Sequence, residues 1–293
     1  MAAGARIDAG QECAAEPASS TPAPAQDFNR RFPFGRNWAK FLANVDAGVV
    51  EQAKQSLADM LETPDLQGRS FLDVGCGSGL FSLAARNLGA RVVSFDYDPL
   101  SVACAEELKA RYRPGDPDWT VTAGSVLDES FLASLARFDV VYSWGVLHHT
   151  GNLRAALANT ARLVNDGGLL YVAIYNDQGR ASRRWLRIKQ LYNRLPRALR
   201  FLVLAPAFLR LWGPTTVRDL LRGRPFETWR EYPRHNRGMS PWRDLVDWVG
   251  GYPFEVARPE HIVDACRDRG FTLRRLKTCG GGRGCNEFVF TRK

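Results

Sequence analysis

SFLDVGCGSGLF, residues 70–81, runs from an apolar stretch through a glycine-rich turn into a second apolar stretch. The first part predicts a strand over Ser70–Val74, and Leu80–Leu88 predicts a helix that Gly89 ends. Glycines at 75, 77 and 79 let the backbone turn sharply and let a ligand approach it closely. Reading outward, strands are expected at Arg91–Phe95, Thr120–Ala123, Phe138–Trp144 and Leu169–Tyr175. Helices are expected at Leu100–Tyr112, Phe131–Leu135 and Leu153–Val164, with NDGG (165–168) as a turn. One helix, Asn37–Leu61, precedes the motif. This alternation implies an α/β fold, a Rossmann-like doubly wound sheet that is mostly parallel. After Asn176 the alternation stops for about 80 residues. It resumes with a helix at Pro259–Asp268 and an antiparallel hairpin of Phe271–Lys277 and Asn286–Arg292. The expected organisation is a disordered tail over 1–26, an N-terminal helical lid over 27–69, a core over 70–176 and 258–293, and a helical cap inserted over 177–257.

Bulk properties narrow the class. The 293 residues carry a net charge of +9 and six scattered cysteines, with no CxxC pair. Neither zinc nor a disulfide framework is indicated, and no metal ligands are assigned. The first 26 residues lack an uninterrupted apolar core, so a secretory leader is not expected. The longest uncharged apolar run, Phe201–Leu209, is far below the ~18 residues that cross a bilayer. A cytoplasmic protein is expected.

Asp73 lies inside the glycine motif, where it would repel a phosphate and suit a cationic amine. Asp96, at the end of the second strand, stands where a carboxylate can accept both ribose hydroxyls. GSVLD (124–128) follows the third strand and suits an adenine edge. This ordering resembles the class I S-adenosylmethionine-dependent methyltransferases over about Ser70–Lys293, the terminal antiparallel hairpin included. VYSWGVLHHTG (141–151) resembles the ubiquinone-biosynthesis O-methyltransferases and their small-molecule relatives. The resemblance implies S-adenosylmethionine as cofactor. Asp73, Gly75, Cys76 and Gly77 would hold its methionine moiety, Asp96 the ribose and Tyr97 the adenine face. Ser125 and Val126 would meet the adenine edge, although the family often has an acid where Ser125 stands. Trp144 would line the sulfonium pocket, and a cation beside an aromatic face gains roughly 0.5–2 kcal/mol.

His148 and His149 follow the fourth strand, where ligands enter an open α/β sheet. His149 is a candidate general base for a hydroxyl acceptor and His148 a wall on the cofactor side; either ring could instead simply pack or satisfy a carbonyl. Tyr175 and Asn176, ending the fifth strand, face the acceptor, as hydrogen-bonding groups or as wall. No Asn/Asp-Pro-Pro-aromatic motif of nucleobase amino-methylation is present, nor an acid cluster for a catechol-type magnesium site. Acceptor contacts are expected from Trp38 in the lid and from Arg237, Trp242 and Tyr252 in the cap, with Glu255 beside them. Asn286 and Glu287 read as structural, the buried acid wanting a basic partner.

Residues 180–224 hold twelve bases and one acid, so the rest of the chain sums to −2. Trp185, Ile188, Leu191, Tyr192 and Leu195 recur at helical spacing, Arg183, Arg184, Arg187 and Arg194 fall on other faces, and Pro196 stops the helix. The apolar segment Leu199–Trp212 that follows is expected to break at Pro206. Two readings stay open: a cap with solvated arginines, or a segment lying on an anionic membrane surface, peripheral to the inner face. The function these readings imply is methyl transfer to a small-molecule acceptor, most readily at oxygen. The rivals are an RNA methyltransferase and an enzyme that consumes the cofactor by intramolecular alkylation, releasing methylthioadenosine. Nucleic acid is disfavoured, because the basic segment is heavily apolar and matches no RNA module.

Overall fold

The computed structural model describes residues 32–235 and 240–293. The expected tail, the first residues of the expected lid (27–31) and Arg237 lie outside them.

A seven-stranded sheet has the order β3-β2-β1-β4-β5-β7-β6. Strands β1 (Ser70–Val74), β2 (Arg91–Asp96), β3 (Trp119–Ala123), β4 (Phe138–Trp144) and β5 (Val164–Tyr175) are parallel. The hairpin of β6 (Phe271–Lys277) and β7 (Cys285–Arg292) adds antiparallel to β5. The strands are apolar on both sides because helices cover both faces. Phe71, Val140 and Tyr142 pack towards α2 (Ala47–Leu61), α3 (Leu80–Asn87) and α4 (Pro99–Tyr112). Leu72, Val74 and Val141 pack towards α5 (Glu129–Ala133), α6 (Leu153–Arg162) and α11 (Pro259–Arg267). The sequence order reverses between β1 and β4, which opens a crevice at the C-terminal ends of these strands.

Three expectations are corrected. The single helix over 37–61 is two, α1 (Gly35–Leu42) and α2, because Asp46 turns extended and its side chain accepts the Val49 N–H at 2.8 Å, capping α2. The NDGG residues do not leave the sheet. β5 begins at Val164, and its register on β4 slips between Phe138 and Val140, so these residues are absorbed as an irregularity. Pro206 does not end a helix: α8 (Phe201–Leu221) runs through Pro206 and Pro214. The carbonyl that Pro206 leaves without a donor belongs to Leu202, on the exposed side of α8, where water can replace the lost bond. Pro196 does stop α7 (Arg180–Arg194), its preceding residue Leu195 being extended.

The cap leaves the sheet at Tyr175 and returns at Ala257, where Ala257 N–H donates to Tyr175 O (3.0 Å) and Asp177 N–H to Ala257 O (3.1 Å). It comprises α7, α8, α9 (Glu227–His235) and α10 (Pro241–Gly250), with its own core of Trp185, Tyr192, Val203, Leu245 and Val249. α1 lies against it: Phe32 N–H donates to Tyr252 O at 3.0 Å, and Asn37 Nδ2 donates to Asp247 Oδ1.

Candidate active site

The glycine turn is held by the end of β2. The N–H groups of Gly75 and Cys76 both donate to Phe95 O (2.8 and 3.0 Å), and that of Gly77 donates to Asp96 Oδ2 (3.0 Å). Gly75, Gly77 and Gly79 have φ of 78°, 54° and 78°, in the left-handed region. A Cβ on Gly75 would stand 2.4 Å from the Val146 side chain, and one on Gly77 3.0 Å from the Trp38 indole. Trp38 thus covers the turn from α1. That helix is seated by Gly35, whose N–H donates to Asp98 Oδ2 at 2.9 Å. Asp98 was not anticipated in this role; it also caps α4.

Two carboxylates flank the turn. Asp73 is buried and accepts the Ser82 hydroxyl at 2.6 Å, at the end of a chain in which Trp119 Nε1–H donates to Ser94 Oγ and Ser94 to Ser82. Burial, with the negative charge of Asp96 nearby, pushes the Asp73 carboxyl up to about 7. Asp96 is turned by two backbone N–H groups, Gly77 on Oδ2 and Asp98 on Oδ1, and burial raises it to about 6. Cys76 is buried between these acids, which together with desolvation hold its thiol protonated. Tyr97 follows, 56% exposed. Ser125 Oγ accepts the Leu127 N–H, and Val126 is buried with its carbonyl held by Asn159 Nδ2. Trp144 donates from Nε1 to Glu287 Oε2 at 3.1 Å. Glu287 also takes the Tyr171 hydroxyl and lies 3.3 Å from Lys277 Nζ, the basic partner a buried acid requires.

On the other side of the crevice stand aromatic groups. His148 is fully buried and stacks on Tyr175 with ring centroids 3.8 Å apart. Its Nδ1 accepts the Tyr175 N–H at 3.3 Å, which leaves the proton on Nε2. His149 Nδ1 lies 2.5 Å from Pro253 O, so Nδ1 carries the proton and Nε2 presents a lone pair. Desolvation lowers His149 to about 3 and holds His148 neutral as well. Phe34 packs on His149 at 4.9 Å, and Tyr175 is flanked by Trp248 (5.3 Å) and Phe254 (5.6 Å).

Several expected acceptor contacts lie elsewhere. Asn176 is committed to the hairpin, giving its Nδ2 to Gly282 O and accepting from Asn286 Nδ2. Glu255 accepts the Leu153 N–H and so serves the start of α6. Trp242 does not bury: it is 47% exposed beside Phe208 on the outer cap, and Trp248, one and a half turns along, faces Tyr175 instead. Tyr252 touches the site through its carbonyl, which ties down Phe32. A groove of about 510 Å³ between α2 and α3, lined by residues such as Lys54, Asp59 and Leu88, is at the opposite end of the strands. Among the described residues no cluster of His, Cys, Asp and Glu could hold a metal.

A family described as methyltransferase domain matches residues 46–274. The chain belongs to that family. By family it carries a methyltransferase domain, on a mostly parallel, doubly wound sheet. The methyltransferase is similar to the ubiquinone biosynthesis O-methyltransferase of Brucella ovis, 32% identical over 111 residues, 38% of this chain and 43% of that protein. The counterpart in Rhizobium rhizogenes is 32% identical over 118 residues, 40% and 45% of the two chains. The matched stretch thus spans less than half the length of these curated relatives. Among solved structures, magnesium protoporphyrin IX methyltransferase from Synechocystis PCC 6803 with bound SAH has a TM-score of 0.53 at 15% identity, over 88% of this chain and 94% of that one. An O-methyltransferase family protein from Burkholderia thailandensis has a TM-score of 0.50 at 14% identity, over 88% and 60%. These two likenesses establish the fold.

The residues present fit the cofactor. Two desolvated carboxylates flank a glycine turn that no Cβ could occupy, and the charge they lack is positive. The cofactor brings an ammonium, a sulfonium and a ribose diol. Its affinity is therefore expected to rise with pH between about 5.5 and 8, because both acids bind it as anions and below their pKa values of about 7 and 6 a proton must first leave. Calorimetry across that range checks this; a flat profile would mean that neither carboxylate meets the ligand's charge. The ligand-free fold should show the opposite trend. Both pKa values are raised above the ordinary carboxylate value, so its stability falls as pH climbs from about 4 towards 7.

Proposed function

We propose that the protein transfers a methyl group from S-adenosylmethionine to a small-molecule acceptor, at oxygen, leaving S-adenosylhomocysteine. The observation that supports this reading is the pairing of two buried carboxylates at the glycine turn with the aromatic cluster around His149 at the C-terminal ends of the same strands. When bound, the cofactor supplies an activated methyl group on a positive sulfur. Asp73, Gly75, Cys76 and Gly77 would hold its methionine end and Asp96 its ribose; Tyr97, Ser125 and Val126 would surround the base, and Trp144 and His148 would wall the sulfonium. α1, with Trp38 on the turn, acts as a lid that excludes water.

His149 orients the acceptor. Its Nδ1–H is anchored on Pro253 O, which fixes the tautomer and leaves Nε2 to receive the acceptor's hydroxyl hydrogen. A proton affinity as low as about 3 prevents it from ionising the hydroxyl beforehand. As the oxygen gains a third bond, however, its proton becomes far more acidic than any imidazolium, and Nε2 can take it then. Tyr175 is the pocket's central wall. Incubation with labelled cofactor and a cell extract, read by mass spectrometry, tests the reaction class. S-adenosylhomocysteine with a methylated product is expected; methylthioadenosine would indicate intramolecular alkylation instead.

The basic cap supports a second element of this reading, contact with anionic lipid. α7 turns Trp185 and Tyr192 inwards, as an ordinary cap helix does, and its arginines outwards. α8 differs: Phe201, Leu202, Leu209, Leu220 and Leu221 are all more than half exposed, interleaved with exposed Arg210, Arg218 and Arg222. Apolar side chains among arginines suit a membrane interface, where each base gains roughly 1 kcal/mol near anionic headgroups. No helix of the structure is long and apolar enough to span a bilayer. The protein is expected to float with anionic liposomes at low salt and to be released at high salt. If it ignores them at low salt, the arginines are only solvated.

A further inference from the structure

Of the twelve bases between residues 180 and 224, Lys189 alone is buried. It occupies the inward stripe of α7 with Ser182, Trp185 and Tyr192. Its Nζ donates to Trp248 O and lies 4.7 Å from the Trp248 ring centroid and 4.6 Å from that of Phe254. These are the two rings that flank Tyr175. Two further donors adjoin the same Tyr175 ring. His148 Nε2–H and Trp248 Nε1–H are both buried and have no hydrogen-bond acceptor.

The nearby carboxylates do not serve these donors. Asp247, whose charge reaches Lys189, takes the Asn37 amide, and Asp244 takes the Tyr232 hydroxyl at 2.6 Å. Around one aromatic ring, then, the Lys189 amine, which burial pushes down to about 7, has one carbonyl acceptor, and two N–H groups have none among the described residues. Aromatic faces attract an ammonium, but a buried amine whose charge partner Asp247 is itself bonded to Asn37, beside two buried donors without acceptors among the described residues, is an arrangement that folding alone disfavours. What this cluster lacks is lone pairs and negative charge, and its neighbours are flat rings.

We propose that this pocket receives the acceptor through an anionic oxygen, a carboxylate or phenolate carried on an aromatic ring, with Lys189 Nζ as its counter-ion and His148 Nε2–H and Trp248 Nε1–H beside it. The proposal rests on the reading of the Tyr175 pocket as the acceptor site. It makes Lys189 the residue that selects acidic over neutral acceptors of the same shape. Loss of the ion pair would leave the glycine turn and its two carboxylates in place, since Lys189 belongs to the cap.

The test uses the full-length protein saturated with S-adenosylhomocysteine, titrated in a calorimeter with 2-naphthoate and, separately, 2-naphthamide. The two probes share shape and differ in charge. The wild type is expected to bind the naphthoate about tenfold more tightly or better. Lys189→Met should abolish that preference, with S-adenosylhomocysteine affinity unchanged, and Lys189→Arg should retain a preference for the anion. Replacing a buried charge by an apolar group of similar length is often neutral or stabilising, so Lys189→Met is expected to fold, which its melting curve verifies. Equal binding of both probes, binding of neither, or a preference that survives Lys189→Met would each overturn the proposal. If Lys189→Met does not fold, the wild-type comparison and Lys189→Arg decide. Failure here is separable from failure of the methyl-transfer reading: a protein that still converts S-adenosylmethionine to S-adenosylhomocysteine with an extract but ignores naphthoate remains a methyltransferase without this anion site.

Discussion

Asp96→Ala should weaken S-adenosylmethionine binding at least tenfold, and by more than a hundredfold if both ribose hydroxyls donate to the carboxylate. Hydrogen bonds to a charged acceptor contribute about 1.5–3 kcal/mol each. The substitution also removes the acceptor of the Gly77 and Asp98 N–H groups, so the turn itself loses support. Against that loss, a desolvated carboxylate disappears, and the fold should survive. Asp96→Asn separates the two roles. It can still accept one backbone N–H, yet it offers the ribose no charge. Calorimetry with a melting curve on each variant checks the outcome. Wild-type affinity in Asp96→Ala would remove Asp96 from the cofactor site.

His149→Ala should reduce turnover by about a hundredfold, within the range that a positioned acid–base group contributes, while cofactor affinity stays as it was. The imidazole is anchored on Pro253 O, packed by Phe34 and Tyr175, and offers one lone pair. Because its proton is held only below about pH 3, an activity limb near neutral pH should not belong to it. A limb near pH 7 that persists in the residual activity of His149→Ala would agree with that assignment. Near-normal turnover in the variant would leave proximity and alignment as the source of the rate.

How much of this was legible beforehand follows the range of the interactions. The strands and the glycine turn were readable because their signals are local: apolar runs bounded by turn residues, and glycines where φ must be positive. Asp73 and Asp96 could be placed because the turn and the end of β2 are fixed relative to each other by strand pairing. The misreadings came where a second effect overrode the rule applied. Asp46 turned one expected helix into two by capping its own downstream N–H. Pro206 and the NDGG residues were expected to end elements and did not. A solvent-facing carbonyl tolerates the missing donor, and β4 holds the strand on both sides of its irregularity, Phe138 opposite Val164 and Val140 opposite Leu169.

The acceptor side divides in the same way. A basic amphipathic helix at 180–194 was legible, with Trp185 and Tyr192 on its inner stripe. Lys189 stands four residues after Trp185 and three before Tyr192, so the stripe already contained it. Composition hid it, because a lysine among arginines reads as one more solvated charge. Of the two tryptophans on α10 the sequence reading chose Trp242; the docking of that helix on α7 and α1 put Trp248 beside Tyr175 and left Trp242 outside.

The sequence by itself determined the doubly wound sheet, the cofactor turn with its two acids, and the insertion of a basic cap after β5. These follow from periodicity, glycine and charge, all expressed within a few residues. Tertiary structure alone decided which side chains meet around Tyr175, which histidine nitrogen carries the proton, and that one lysine of twelve bases is buried. Those outcomes depend on contacts between segments tens of residues apart, such as Lys189 with Trp248, His149 with Pro253 and Trp38 with Gly77. They depend equally on the desolvation that such contacts impose, and no local pattern encodes that.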